Sequence, residues 1–290
     1  MKYLPDDLKR EYDFTIRNNP DIPGLEHPFI NLSDVFRAYF ILIHYFTDPS
    51  SSEVAERMLP GIRSIDLLAS ALGRQAASFG GKQKYNTPIE ICSTLFFGLV
   101  KNHSLNDGNK RTALLILMYQ LQLYGYYPTA PKKDFEQLVL NVAANDLQKP
   151  YESYYREAKK HSDWQIQVIS RVLKKMVVKK DNSYHISPTT KDFCAALEKK
   201  GVKSTLDNGK LRFSYTIPGK WFFVPQSEKN YFIPFGGWTR IIGAKTARET
   251  LQALNLYDQF SSYQDLFDGA DPLYELVENY KEPLRRLKDK

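Results

Sequence analysis

The sequence predicts a mainly α-helical bundle over residues 1–180 and a smaller α+β domain after it. Three observations support that division. From Asn31 to about Val177, apolar residues recur at the spacing of helices. After Lys180 the texture changes, and "KKDNSYHISPTT" reads as a linker. Beyond it come short aromatic runs, "KLRFSYTI", "WFFV" and "YFIPF", separated by turn signals.

Residues 1–30 hold several prolines and many charges and read as an extended arm. The bundle proper is expected over 31–180. Asn31 or Ser33 caps its first helix, Asp34 complements the dipole, and Val35, Tyr39, Leu42, Ile43 and Phe46 follow on one face. "TDPSSSE" (47–53) is a loop. "LPGIRSIDLLASALGRQ" opens on a Pro-Gly turn and continues as a helix carrying Leu67, Leu68, Ala71 and Leu72. "SFGGKQKYNTP" (78–88) is a second loop. The helix of 88–102 is apolar nearly all round, with Ile89, Ile91, Leu95, Phe96, Leu99 and Val100, which makes it central. A second central helix covers 109–125 and ends at Gly125, a suitable left-handed cap. Helices at 132–145 and 151–177 complete the bundle. In residues 181–290, "KDFCAALEKKG" is a short helix ending at Gly201. Turns are expected at Asp207-Asn208-Gly209, Pro218-Gly219 and Ser227-Glu228-Lys229-Asn230. "GAKTARETLQALNL" is another helix, and a last one runs over Asp271–Asp289.

A chain of 290 residues that is 42% hydrophobic and 25% charged buries a sizeable core and is neither collagen-like nor disordered. It contains no run of 18 apolar residues, and its first residues lack an apolar signal core, so a cytoplasmic protein without a membrane span is expected. Cys92 and Cys194 sit within apolar patterns and read as small buried residues, not as a disulfide or metal site. Nor do the five histidines show the ligand spacing of zinc. Net charge is +7, and residues 149–180 alone carry nine Lys or Arg against three acids. That stretch reads as a solvated helix face; a surface for an acidic protein, a nucleotide or a nucleic acid is the alternative.

The most polar short segment separates the two central helices: "KNHSLNDGNKRTALLI", from Lys101. If the second helix starts at Asn109, the N–H groups of Gly108 through Arg111 lack intrahelical partners and point into the loop. The helix dipole adds positive charge there, and Gly108 lets an anion approach the backbone. Lys110 and Arg111 sit at the end where cations are unfavourable, which points to a bound anion, phosphate first. Asp107 beside phosphates fits a Mg2+ ligand. His103 supplies an imidazole, a base able to take a proton from an incoming hydroxyl at neutral pH. A plainer reading also stands, in which Asn102 and His103 cap one helix and Asp107 the next. A Ca2+ loop does not fit, because His103 and Leu105 fall where carboxylates belong.

"HSLNDGNKRTAL" resembles the signature of the Fic/Doc (Fido) family, H-P-F-x-D/E-G-N-G/K-R, at His103, Asp107, Gly108, Asn109, Lys110 and Arg111. Ser104 replaces the Pro and Leu105 the Phe. "LSDVFRAYFILIH", "GIRSIDLLASALGRQ", "FGGKQKY" and "FFGLVKNH" are similar to the Doc-type branch, so the likeness covers about residues 30–145. The resemblance implies a Fido helical bundle using ATP and Mg2+. His103 would be the general base acting on a Ser, Thr or Tyr hydroxyl of a target protein, Asp107 the metal ligand, and Gly108, Asn109, Lys110 and Arg111 the phosphate-binding residues. Gly61-Ile62-Arg63 falls near the family's target-docking flap. Lys110 and Leu114 stand where the AMP-transferring branch has Gly and Arg, which favours transfer of a phosphate, as in Doc-like toxins acting on translation. AMP transfer is the alternative. Glu278 is the nearest match to the family's autoinhibitory glutamate; a separate antitoxin partner is the other route to silencing. A non-catalytic scaffold that binds a partner or nucleic acid is the competing class, and the second domain is expected to recognise targets or regulate.

Overall fold

The computed structural model describes residues 4–47, 58, 60–179, 189–217, 227–256 and 272–288. The chain divides into two compact units, Met1–Asp181 with Leu273–Lys290, and Asn182–Pro272. The first break falls at the expected linker. The last residues, read above as part of the second domain, belong instead with the first unit.

The N-terminal residues are not simply an extended arm. Asp6–Asn18 form α1, with Asp6 and Asp7 in its first turn, where acids offset the dipole. Leu8, Tyr12 and Ile16 lie on one face and pack on the core, Tyr12 edge-on to Phe40 with ring centroids 5.4 Å apart. The charges that suggested an arm occupy the outer face. α2 (Leu32–Thr47) is capped as expected at Asn31, whose side-chain oxygen accepts from the Leu32 N–H at 2.8 Å. α3 spans Ile65–Gly73, with Ser64 accepting from the Leu67 N–H at 3.2 Å. The expected loop at 78–88 contains a small hairpin, β1 (Ser78–Phe79) with β2 (Lys82–Gln83), turning through Gly80 and Gly81. The Thr47–Glu53 loop lies, beyond Thr47, outside the described residues.

α4 (Pro88–Lys101) starts with a Thr87–Glu90 capping box, and α5 (Asn109–Leu123) follows after a short loop. Both are buried nearly all round and form the centre of the unit, which fits their apolar sequences. β3 (Tyr126–Pro128) comes next, and α6 (Lys132–Ala143) packs on α5. The helix expected at 151–177 is two, α7 (Glu152–Ala158) and α8 (Trp164–Met176). The polar run "KKHSD" breaks it, and Trp164 folds back edge-on to Tyr155, centroids 5.0 Å apart. β4 (Val177–Lys179) pairs antiparallel with β3.

The second unit is built from α9 (Thr190–Glu198), β5 (Lys203–Asp207), β6 (Lys210–Ile217), β7 (Ser227–Pro234) and α10 (Ala244–Ala253). Its sheet is antiparallel in the order β5-β6-β7. Asn208 and Gly209 are both left-handed, as a two-residue hairpin requires. Residues 227–230, expected as a turn, are the start of β7. Asn230 stands opposite Ser214 there, and its side-chain oxygen accepts from Ser214 at 2.7 Å and from the Arg212 Nε–H at 3.0 Å. The Pro218-Gly219 turn and "WFFV" lie outside the described residues. Phe193, Leu197, Leu211, Phe213, Ile233 and Leu251 form this unit's core, while Phe232 is exposed beside Arg212.

The final helix expected over 271–289 is also two, α11 (Pro272–Asn279) and α12 (Lys281–Arg286). Pro283 has no N–H for the Asn279 carbonyl, so one continuous helix cannot pass Tyr280. Leu273, Leu276, Val277, Leu284 and Leu287 join the core cluster of the first unit, which also holds Phe36, Phe46, Phe96 and Phe135. Both cysteines are free and buried, and burial pushes the Cys194 thiol up to about 11. Among the described residues, no helix is long and apolar enough to cross a membrane.

Truncating a fully packed ring tests this core. Phe96→Ala should lower stability by about 3–5 kcal/mol in chemical denaturation of the full chain. At pH 8 neither cysteine should react with a thiol reagent in native buffer, and both should react after unfolding.

Candidate functional site

Asn102 ends α4, and residues 103–108 form the loop that leads into α5. Asn109, the first residue of α5, holds that loop closed. Its side-chain oxygen accepts from the Leu105 N–H at 3.0 Å, and its amide donates to the Leu105 carbonyl at 2.9 Å. Leu105 is buried, the apolar anchor that its sequence position suggested.

A second segment clamps the loop from outside. The N–H groups of Arg63 and Ser64 both donate to the Ser104 carbonyl, at 2.8 and 3.1 Å, and the Asn106 N–H donates to the Gly61 carbonyl at 3.0 Å. Ile62 and Leu105 form an antiparallel bridge. The Tyr39 hydroxyl donates to the same Gly61 carbonyl at 3.1 Å. The expected flap residues Gly61, Ile62 and Arg63 therefore stand beside the loop, and one edge of their backbone is taken by the chain's own Ser104–Asn106.

The loop directs its polar groups outward. His103 adopts a left-handed φ of 48°, and its side chain is exposed while Ser104 and Leu105 turn inward. Asp107 is half-buried and its Oδ1 accepts from the Gly108 N–H at 2.6 Å. Asn102 donates to the Leu67 carbonyl at 2.8 Å. Gly108 is left-handed at φ 78°, and a Cβ there would collide with the methyl of Met58. As the N-cap it brings no side chain to the first N–H groups of α5.

Arg111 is shut off from solvent and Lys110 is half-buried. The Arg111 side chain is only 1% exposed. Its Nε–H donates to the Leu284 carbonyl at 2.7 Å, and Nη2 donates to the Arg285 carbonyl at 3.3 Å. Its guanidinium also lies over the Phe46 ring, 4.3 Å from the centroid. Lys110 Nζ donates to the Lys288 carbonyl at 2.9 Å. These carbonyls belong to the last turn of α12 and the residues after it, where helix carbonyls lack intrahelical partners.

Side chains fix the same C-terminal segment. Arg286 makes a forked bond to Glu136 of α6, with distances of 2.7–2.9 Å. Tyr280 meets Phe135 edge-on, centroids 6.3 Å apart. Glu278 accepts from the Tyr45 hydroxyl at 3.4 Å, and burial together with that carboxylate holds the Tyr45 phenol above its ordinary value. Tyr45 adjoins Phe46, so Glu278 lies near the aromatic floor under Arg111.

Six of the expected site residues thus lie on one short stretch, 103–111, and the flap residues touch it. Sequence reasoning missed Tyr39, Met58, Glu136 and the Leu284–Lys288 carbonyls. Glu136 and the carbonyls leave no local signal in the sequence; Tyr39 and Phe46 appear there only as core periodicity. A groove of about 340 Å³ lies elsewhere, along the C-terminal half of α5, between Met118, Leu121, Tyr127, Leu276 and Tyr280. It is several helical turns from His103, too far to serve that loop.

Residues 29–121 match the model of the Fic/DOC family. That segment runs from the entry of α2 through α5 and contains the whole His103–Arg111 stretch. No curated protein and no solved structure matches the chain.

The Asn109 clip can be removed by shortening one side chain at the start of α5. Asn109→Ala should cost about 1–3 kcal/mol, because the Leu105 backbone groups are left buried without their partners. Thermal melting gives the cost, and hydrogen exchange at residues 103–108 shows that the loop is where protection is lost.

Proposed function

We propose that the chain is an ATP-using transferase that passes a phosphate to a hydroxyl side chain of a target protein. The observation that carries this reading is the single loop that presents an exposed imidazole and a carboxylate and leads through Gly108 into a helix with two cations in its first turn, all within nine residues. Similarity of residues 29–121 to the Fic/DOC family supports a Fido-type transferase.

These residues fit a nucleoside triphosphate with Mg2+. Gly108 is packed against Met58, which leaves no room for a larger residue, and it starts the helix whose first N–H groups would hold the phosphates. Asp107 offers the one carboxylate that Mg2+ commonly takes alongside phosphate oxygens and water. When bound, the metal supplies charge neutralisation on the phosphates. Lys110 and Arg111 fit once the C-terminal carbonyls leave them.

The chain's own groups then divide the work. His103, held outward by its backbone, takes the proton of the incoming hydroxyl as that oxygen bonds to the γ-phosphorus, the bond from phosphorus to the β–γ bridging oxygen breaks, and ADP leaves. The α5 N–H groups and dipole, with Lys110 and Arg111, hold the phosphates while charge develops. The segment 61–64 borders the loop, so a target chain is placed there by backbone contact.

Leu114 bears on the group transferred. It occupies the position of the second arginine in the AMP-transferring branch, and here its side chain is wholly buried in the bundle core. An apolar residue so placed gives a phosphate no hold, which supports the phosphate reading over AMP transfer. A translation factor as target and a small antitoxin as partner follow from the resemblance to Doc-like proteins.

ATP labelled separately at the α and γ positions, incubated with the protein and a bacterial lysate, tests the proposal. Label from γ alone should enter protein and should drop at least a hundredfold with His103→Ala. Label from α would mean AMP transfer, and label indifferent to His103→Ala would overturn the catalytic reading.

A further inference from the structure

We propose that the open face of the β5-β6-β7 sheet binds single-stranded nucleic acid, with the Phe232 ring as the stacking surface for a base and Lys203, Lys210 and Arg212 meeting the phosphates. The proposal concerns the second unit alone and does not depend on the transferase reading.

The strand register sorts the sheet into two faces. Leu206, Leu211 and Ile233 are cross-strand partners, and so are Ser204, Phe213 and Tyr231. Leu211, Phe213 and Ile233 are buried together with Phe193 and Leu197 of α9 and Ala247 and Leu251 of α10. Both helices therefore pack on that face, and strand alternation sends the intervening residues to the other. There Thr205, Arg212 and Phe232 form one row, with Lys203 in the row on one side and Lys210 in the row on the other. All five are exposed or half-buried.

The chemistry of this face matches bases and phosphates together. Phe232 is 48% exposed. The Arg212 guanidinium carbon lies 5.8 Å from the centre of its ring, and the Arg212 Nε–H is tied to the Asn230 side-chain oxygen at 3.0 Å. That bond holds a guanidinium and an aromatic ring side by side on a flat sheet, two kinds of surface on which unpaired bases stack. Arg212 and Lys210 follow each other on the same face of β6, about 7 Å apart by the strand rise, and Lys203 continues the line on β5. The acids of this face, Asp207 and Glu228, stand in its two end rows, and Glu228 comes within 3.9 Å of Arg212. The middle of the face is thus aromatic and cationic, which complements a polyanion. A duplex stacks its bases on one another and leaves Phe232 nothing to cover. An acidic or phosphorylated peptide would use the cations but not the ring.

Fluorescence anisotropy of full-length protein provides the test. The probes are labelled single strands of DNA and of RNA of about 15 nucleotides, near the upper site size for such surfaces, and the duplex of the same sequence. A phosphorylated acidic peptide is the comparison. The expected result is that at least one single strand binds more tightly than the duplex and the peptide. Phe232→Ala should weaken that binding about tenfold or more, while Phe232→Tyr, which keeps the ring, should stay within about twofold. Lys210→Ala should lower the slope of log affinity against log salt by about one. Thermal melts of the variants should match the wild type, since both side chains face solvent. No binding of either strand, or a duplex or peptide bound at least as tightly, overturns the proposal. So does single-strand binding that Phe232→Ala leaves unchanged, which would place the contact on another basic surface of the chain.

Discussion

A guanidinium that is 1% exposed must have partners, and much of the first unit is arranged around giving Arg111 its own. Removing one partner of a buried charge costs about 3–5 kcal/mol, comparable with much of the stability of a domain. Two distant parts of the chain help to meet that demand. Phe46 of α2 supplies a ring face, and Leu284 and Arg285 of α12 supply carbonyls. Arg111 itself sits in the first turn of α5, where the helix dipole already repels it. The carbonyl end of α12 offsets both problems at once. The positive start of one helix and the negative end of another meet at two cationic side chains.

The loop next to it follows the opposite principle. Residues 103–108 are tied by main-chain bonds on both sides, from Asn109 within and from Gly61–Ser64 without. Tying the backbone this way leaves His103 in a left-handed conformation with its ring outside. A fixed loop that holds its reactive groups in place lowers the cost of aligning a substrate. Beside this loop lie α12 and the residues after it, held by their carbonyl contacts to Lys110 and Arg111, by Leu284 and Leu287 in the core and by the Arg286–Glu136 ion pair.

How much of this the sequence discloses depends on the range of the interactions. α4, α5 and the loop between them are legible because burial on every side demands apolar runs, and Gly108, Asn109 and the cations interrupt those runs abruptly. The Asn208-Gly209 turn is legible for a similar local reason. α1 is hidden because its charges and flanking prolines outweigh a narrow stripe of Leu8, Tyr12 and Ile16. The break at Tyr280 follows from Pro283, a local signal outweighed by the surrounding apolar pattern. The docking of α12 on Arg111 has no local signal at all: it joins residues more than 170 positions apart through backbone oxygens, which every residue has. The sequence indicates that Arg111 needs a negative partner and does not say whether that partner is a phosphate or the chain itself.

Leu284 and Leu287 are wholly buried, and that burial contributes about 1.5–3 kcal/mol each to holding α12 in place. Leu284 joins both kinds of contact in one residue, its side chain in the core and its carbonyl on Arg111. The apolar packing therefore sets the carbonyl against the guanidinium, and the buried charge in turn requires the helix to stay packed. A substitution that loosens either contact weakens the other.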